Sequence, residues 1–297
     1  MSLDHVEGAF LAVTGVCKSY GDLVILDDID LQVESGELCT VVGPSGCGKS
    51  TLLRQILGAE EPDSGLITID GKVVDVPDPR RGIVFQKYSL YPHLTVLENT
   101  MIGPRMMAGW MPDSNQLSDI RDRSMEMLSR VRLHGHEAKY PHELSGGMRQ
   151  RVAIAQSLVM EPSILLMDEP FGALDPDTRE ELQLFLLEQW ERMGMTVFFV
   201  THDLEEAAYL GTRLLALSKY YTDGRPKNDP GKGAKIVCDF SLERAVSSVD
   251  IKRDARFRDL ITQIRNDAFD PDILQHVREF NLDHLSASIT QPQADPS

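Results

Sequence analysis

The sequence predicts an α/β fold, and three observations predict it. A glycine-rich loop, Gly43-Pro44-Ser45-Gly46-Cys47-Gly48-Lys49-Ser50-Thr51, lies between an apolar run from Leu38 to Val42 and a helical pattern starting near Lys49. Buried-type apolar runs at Ile164 to Met167, Thr196 to Val200 and Leu214 to Leu217 alternate with stretches of helical periodicity. A Met-rich region around Leu117 to Val131 carries helical spacing without strand patterns, which predicts a helical insert. A chain of 297 residues can bury a sizeable core and form one or two domains.

Taken in order, Phe10 to Val16 and Ile29 to Val33 read as strands joined through the polar segment Lys18-Ser19-Tyr20-Gly21-Asp22, which places Tyr20 on a loop. The glycine-rich loop follows. Gly43 and Gly48 let the backbone curl so that N–H groups point inward, the next helix adds its positive end, Lys49 supplies charge, and Ser50 offers a hydroxyl to Mg²⁺. The ligand this pattern predicts is a nucleoside triphosphate. Leu52, Leu53, Ile56 and Leu57 form a helix face closed by Gly58. Asp70-Gly71 sits between Leu66 to Ile69 and Lys72 to Val74, a hairpin signal, and Gly82 to Phe85 makes a strand ending at Gln86.

Leu144-Ser145-Gly146-Gly147 opens a helix carrying Val152, Ala155, Leu158 and Val159, either as an anion-binding start or as an N-cap with a flexible turn. The strand at Ile164 ends in Asp168-Glu169-Pro170, where one carboxylate could reach hydrated Mg²⁺ and its neighbour orient an attacking water. A helix from about Thr178 to Arg192 leads to the Thr196 strand, and His202 stands at that strand's C-terminal edge, where parallel α/β sheets bind ligands. Residues 222–233 are dense in Gly, Pro, Lys and Asp and read as a linker. Phe257, Leu260, Ile261 and Ile264 predict a helix, and Asp270-Pro271 is expected to open a second with Ile273, Leu274, Val277 and Phe280 on one face. The tail from Ser286 to Ser297 has a disordered composition.

A formal net charge of −16 argues against broad nonspecific attraction to nucleic acid or anionic lipid. No apolar run approaches the ~18 residues of a membrane span, and Met1 to Glu7 lacks the basic region of a secretory signal, so the chain is expected in the cytosol. The four cysteines, Cys17, Cys39, Cys47 and Cys238, form no Cys-x-x-Cys pair and fit a reducing compartment. Cys47, at a helix N-terminus, is expected to have a lowered pKa and to be shielded from thiol reagents by nucleotide.

In this order, the phosphate loop at Gly43 to Thr51, Gln86, Leu144-Ser145-Gly146-Gly147, Asp168-Glu169, the turn Ala173-Leu174-Asp175 and His202 resemble the ATP-binding cassette family over residues 9–220. The resemblance implies a P-loop NTPase cassette: a mostly parallel core sheet, an antiparallel β subdomain, and a helical signature subdomain at about 87–160. Beyond the cassette, composition and periodicity predict a linker at 221–233, a short, mainly helical C-terminal extension at 234–285 and a tail at 286–297. The cassette resemblance stops at about residue 220. It also implies two copies of the chain sandwiching two ATP molecules. Tyr20 would stack on adenine, while Lys49 and the loop residues Gly43, Pro44, Ser45, Gly46, Cys47, Gly48, Ser50 and Thr51 would hold phosphates, the N–H groups coming from all of these but Pro44, which has none. Ser50 and Gln86 would approach Mg²⁺, with Asp168 behind its water shell. Ser145, Gly146 and Gly147 would meet the partner copy's γ-phosphate, with Asp175 in the neighbouring turn. Glu169 would polarise the attacking water, and His202 would contact the γ-phosphate.

Phe85-Gln86-Lys87-Tyr88-Ser89-Leu90-Tyr91-Pro92-His93-Leu94-Thr95-Val96 is similar to bacterial importers, and Lys235-Ile236-Val237 followed by the Phe257 helix resembles the nitrate, sulfonate and taurine group. That implies an energy-coupling ATPase at the cytoplasmic face of the cell membrane, partnered by two transmembrane permease subunits and indirectly by a substrate-binding protein, with no nucleic acid. Tyr88, Leu90, Tyr91 and Leu94 would either line a groove for a permease helix or pack internally. An exporter or lipid-transport cassette and a soluble cofactor-assembly cassette are the alternatives. Repair cassettes with long coiled coils are disfavoured, because the roughly one hundred residues between loop and signature carry no sustained heptads.

Overall fold

The structure is a computed structural model that describes residues 10–86, 89–109, 111–226, 229, 231–242 and 255–282. Lys87, Tyr88 and the tail at 286–297 lie outside the described residues. The chain forms two compact units, Met1–Val76 with Val200–Ser297, and Pro77–Phe199.

The first unit opens with β1 (Leu11–Tyr20), β2 (Leu23–Val33), β3 (Leu38–Val42), α1 (Lys49–Leu57), β4 (Ser64–Ile69) and β5 (Lys72–Val73). Strands β2-β1-β4-β5 make an antiparallel sheet. Its β4–β5 hairpin turns on Asp70 and Gly71, both at positive φ (51° and 69°), the conformation that an Asp-Gly pair supplies most readily. The segment expected to join β1 and β2 as a polar loop is instead mostly strand. Lys18 and Ser19 find partners at Asp63, through Nζ to Oδ1 at 3.1 Å and backbone N–H to Oδ2 at 2.7 Å, so the ladder runs on to Tyr20 and turns only at Gly21-Asp22.

The second unit contains β6 (Arg81–Val84), α2 (Val96–Met107), α3 (Ser114–Arg130), α4 (Gly146–Leu158), β7 (Ile164–Asp168), α5 (Pro176–Met193) and β8 (Thr196–Val200). Helix α2 was not read from periodicity; it starts on a capping box in which Thr95 and Glu98 satisfy each other's backbone N–H groups. An equivalent box, Asp113 with Gln116, starts α3. Strands β6 and β7 are parallel with Val84 opposite Met167, and Ser157 on α4 donates to the Ile83 carbonyl at 2.7 Å. The register therefore carries Gln86 and Glu169 out of the same end of this sheet.

The chain returns to the first unit with α6 (Leu204–Leu210), β9 (Arg213–Ser218), β10 (Tyr221–Thr222), β11 (Lys235–Ser241), α7 (Ala255–Ile264), β12 (Gln275–His276) and β13 (Asn281–Leu282). Strand β9 pairs parallel with β3 and antiparallel with β11, which in turn pairs parallel with β13. A core of Val42, Leu204, Leu214, Tyr221, Val237, Phe240, Ile261 and Ile264 joins these strands to α6 and α7.

Parts of the C-terminal region differ from the sequence reading. Within 221–233, Tyr221, Arg225 and Lys232 do not hang free. Tyr221 is fully buried, its hydroxyl donates to the Gly233 carbonyl at 3.0 Å, Lys232 lies 4.1 Å from its ring centroid, and Arg225 is paired with Asp27. Nor does a second helix start at Asp270. Asp270 Oδ1 accepts from Asp272 N at 2.9 Å, Pro271 has no N–H to give, and His276 caps a 3-10 turn at Val277–Glu279. Val277 and Phe280 still reach the core, but from a 3-10 turn and the residue that follows it.

Candidate functional site

In the first unit, β3 ends at Val42 and the chain curls through Gly43 to Gly48 before α1 begins. A side chain at Gly43 would place Cβ 2.1 Å from the Leu217 carbonyl oxygen, and one at Gly48 would meet Leu26 Cδ2 at 2.7 Å and Ile25 Cγ2 at 2.8 Å. Only glycine therefore lets the loop close this tightly. Helix α1 is capped by Gly48, which has no side chain to occupy the first-turn N–H groups, so these donors and the helix's positive end face the loop. Lys49 bends back over the loop, with Nζ donating to the Gly43 and Pro44 carbonyl oxygens at 2.7 and 3.2 Å. Ser45 and Gly46 are exposed at the tip, Ser50 is half-buried and Thr51 is buried.

Cys47 departs from expectation. It is 3% exposed, and burial pushes its thiol up despite the Lys49 charge and hydrogen bonds from the Lys49 and Cys47 amides. Desolvation outweighs the helix terminus at this position.

Tyr20 closes β1 with its ring 47% exposed and its hydroxyl held by Glu60 and Arg54. His202 is exposed and lies between two fixed neighbours. The Thr201 N–H donates to the Val41 carbonyl at 3.1 Å, its hydroxyl donates to Glu206 at 2.6 Å, and Asp203 caps α6 by accepting from Glu205 N and Glu206 N. These bonds tie the His202 turn to the strand that feeds the phosphate loop.

The second unit holds the remaining candidates. Gln86 Nε2 donates to Glu169 Oε2 at 3.3 Å, and Glu169 adopts φ +46°, a left-handed conformation that is costly for a residue with Cβ. Asp168, the last residue of β7, precedes it. Ser145 is the N-cap of α4, accepting from Met148 N at 3.3 Å, and Gly146 and Gly147 form the first turn; a Cβ on Gly147 would sit 2.6 Å from Thr178 Cγ2. Asp175 caps α5 through Thr178 N at 3.0 Å, a bond that holds its carboxyl below the usual carboxylate range. The Ser145 hydroxyl serves as the N-cap of α4, and the helix start that it caps is the one read as anion-binding.

Sequence reasoning missed Arg54 and Glu60. They meet Tyr20 across roughly forty residues of chain through a hydrogen-bonded contact that no local pattern encodes.

A family model described as ABC transporter matches residues 26–172. Over 220 residues, 74% of this chain and 80% of the relative, the sequence is 43% identical to an aliphatic sulfonates import ATP-binding protein of Bacillus cereus. The chain belongs to the ABC transporter family. This ABC chain is also 45% identical to a sulfate/thiosulfate import ATP-binding protein of Pectobacterium atrosepticum, 64% of whose length it spans. It is 44% identical to a spermidine/putrescine import ATP-binding protein of Nitrosospira multiformis, of which it spans 57%. Among solved structures, a dimeric ATP-binding cassette in a post-hydrolysis state, bound to ADP and Pi, matches with TM-score 0.66 and 31% identity over 79% of this chain and 100% of that one. The cbiO1 subunit of a Clostridium perfringens ABC complex matches with TM-score 0.67 and 26% identity over 87% and 95%. The ABC chain is thus an ATPase cassette that binds ATP, with the α/β fold expected of one.

The residues present fit such a ligand. The loop offers a helix start with no side-chain cap and one ammonium, a set suited to phosphates. Among the described residues no group of three or more His, Cys, Asp or Glu side chains could hold a metal by itself. Mg²⁺ carried on substrate phosphates requires only one or two protein ligands, so a site of this kind fits.

Proposed function

We propose that this chain is the ATP-hydrolysing, energy-coupling subunit of a membrane importer for a small oxoanion or sulfonate. The observation that carries the hydrolytic part is Glu169, directly after β7, with Gln86 bonded to its carboxylate and its backbone fixed at positive φ. Lys49 and the N–H groups of the loop hold the phosphates. Ser50, Gln86 and Asp168 would hold Mg²⁺, which when bound neutralises charge that develops on the phosphate oxygens. Glu169 accepts hydrogen bonding from the attacking water and so orients it, while His202 marks the presence of the γ-phosphate. Ser145, Gly146 and Gly147 address the nucleotide of a second copy, a role for which the dimeric solved cassette is the support.

Import is supported by the relatives, each named as an import ATP-binding protein, and the anionic cargo by the sulfonate and sulfate relatives among them. Two permease subunits at the cytoplasmic face of the membrane, and a binding protein beyond them, complete this reading. Among the described residues no helix is long and apolar enough to cross a membrane.

The test has two arms. Glu169→Gln should keep ATP binding and lose turnover by about 10²- to 10⁴-fold, whereas Lys49→Ala should weaken ATP binding itself. Near-normal turnover in Glu169→Gln refutes the assigned role. In the second arm the complex is reconstituted with its binding protein, and ATPase stimulation is compared for alkanesulfonates, taurine, sulfate and nitrate against spermidine and sugars. Stimulation by spermidine or a sugar alone eliminates the anionic cargo.

A further inference from the structure

Tyr20 is about half exposed yet tied down at its hydroxyl. The hydroxyl donates to Glu60 Oε1 and accepts from Arg54 Nη2 at 3.1 Å. Arg54 also bonds Glu60 Oε2 through Nε at 3.0 Å and, through Nη2, Thr51 Oγ1 at 3.1 Å. On the other side, Lys18 Nζ lies 3.6 Å from Glu60 Oε1 and 5.9 Å from the Tyr20 ring centroid, and is itself held by the Glu61 carbonyl at 2.7 Å. A continuous set of bonds thus runs from the last residue of the phosphate loop, through Arg54 and Glu60, to the aromatic ring at the end of β1.

A half-exposed tyrosine at the rim of a sheet is ordinarily free to change rotamer. This one is fixed at its far end by two charged groups, and one of those groups is anchored to the loop that holds phosphates. Burial works to raise the Glu60 carboxyl, but hydrogen bonds from Tyr20 and Arg54 and the charges of Arg54 and Lys18 hold it below the usual glutamate range. The carboxylate therefore remains an acceptor.

We propose that Glu60 and Arg54 are positioning residues for the nucleobase: they hold the Tyr20 ring at a set place relative to the phosphate loop, so that a purine bound through its phosphates meets a pre-formed stacking face. This rests on the reading of Gly43 to Thr51 as an ATP site. The arrangement spares nucleotide binding the cost of ordering the ring, the kind of saving that pre-organisation brings. Its effect is confined to ligands that carry a base.

The test measures binding by titration calorimetry of the full chain with Mg-ATP and, separately, with Mg-tripolyphosphate, which has the phosphates and no base. Tyr20→Phe keeps the ring and removes the tether, and Glu60→Ala removes the tether from the other side. Each is expected to weaken ATP binding about three- to tenfold, the range set by freeing one side chain, and to leave tripolyphosphate binding unchanged. The double variant should be no weaker than Tyr20→Phe alone, because losing the hydroxyl already removes both of its bonds, the one to Glu60 included. Glu60→Gln, whose amide oxygen still accepts from the phenol, should retain most of the affinity. Wild-type ATP affinity in Tyr20→Phe, fully additive losses in the double variant, or equal losses for tripolyphosphate each overturn the tether. If the wild-type chain binds neither ligand, the phosphate-site reading falls, and the tether with it.

Discussion

A thiol that is 3% exposed reacts only when its surroundings open, and Cys47 is such a thiol, packed inside the phosphate loop and pushed up by burial. Cys17, by contrast, is only partly covered. In a short labelling with a thiol reagent at neutral pH, mass spectrometry should find Cys17 modified first and Cys47 slow, with or without nucleotide; rapid labelling of Cys47 would mean that the loop opens readily. Glu60 gives a prediction in pH. Its folded pKa lies below the reference value of 4.5, so its stabilising contribution is fully present above that value and is lost as pH falls through the lower folded one. The ATP-affinity gap between wild type and Glu60→Ala should therefore be the same at pH 7.5 and pH 5.5, two conditions chosen about a unit or more above the ordinary glutamate range. Closure of that gap at pH 5.5 would show that the carboxylate is already protonated there.

Each candidate helix in the second unit depends on its first residue. Removing the Ser145 hydroxyl leaves Met148 N without its cap, and Ser145→Ala should cost about 1 kcal/mol in urea unfolding, apart from any effect on turnover. Gly48→Ala acts on the loop of the first unit. Its φ of +99° and the short approach to Leu26 and Ile25 should cost about 1–2 kcal/mol from backbone strain alone, seen as a lower thermal midpoint. These two positions were legible in the sequence because their signals are local: a hydroxyl three residues before the N–H it caps, and glycines at fixed spacing beside a lysine. Strands with continuous apolar runs, such as β7, β8 and β9, were legible for the same reason. Helix α2 has an equally local start in Thr95-x-x-Glu98, but its apolar residues do not repeat clearly enough for periodicity alone to show it. The region after Asp270 was misread for a different cause. Ile273, Leu274, Val277 and Phe280 have helical spacing, but the core they reach is reached equally from a 3-10 turn, and Pro271 with the Asp270 turn settles the matter against a helix.

In the first unit, the C-terminal extension is built into the sheet that begins the phosphate loop. Arg213 on β9 bonds Asp239 on β11 through Nε and Nη2 at 2.8 and 2.7 Å, and the two side chains are 2% and 0% exposed. Breaking such a pair leaves the buried Arg213 with Glu37, at 3.3 Å, as its remaining carboxylate, so Asp239→Ala should cost about 3 kcal/mol, the low end for a broken buried pair, while replacing both partners with apolar residues should cost less. Chemical denaturation of the single and double variants tests this; equal losses would show that the carboxylate acts through packing rather than charge. The placement of β13 has a separate consequence. The seven-residue β11 is flanked by β9 on one side and by β13 on the other, and β13 is only two residues long. The outermost strand thus presents very little unsatisfied backbone to a neighbouring molecule, which is one way sheet proteins avoid growing into one another. Deleting residues 270–297 would uncover the backbone of Cys238 and Asp239, the two β11 positions that β13 pairs, and such a chain should self-associate in a concentration-dependent manner under light scattering even where its nucleotide affinity is preserved.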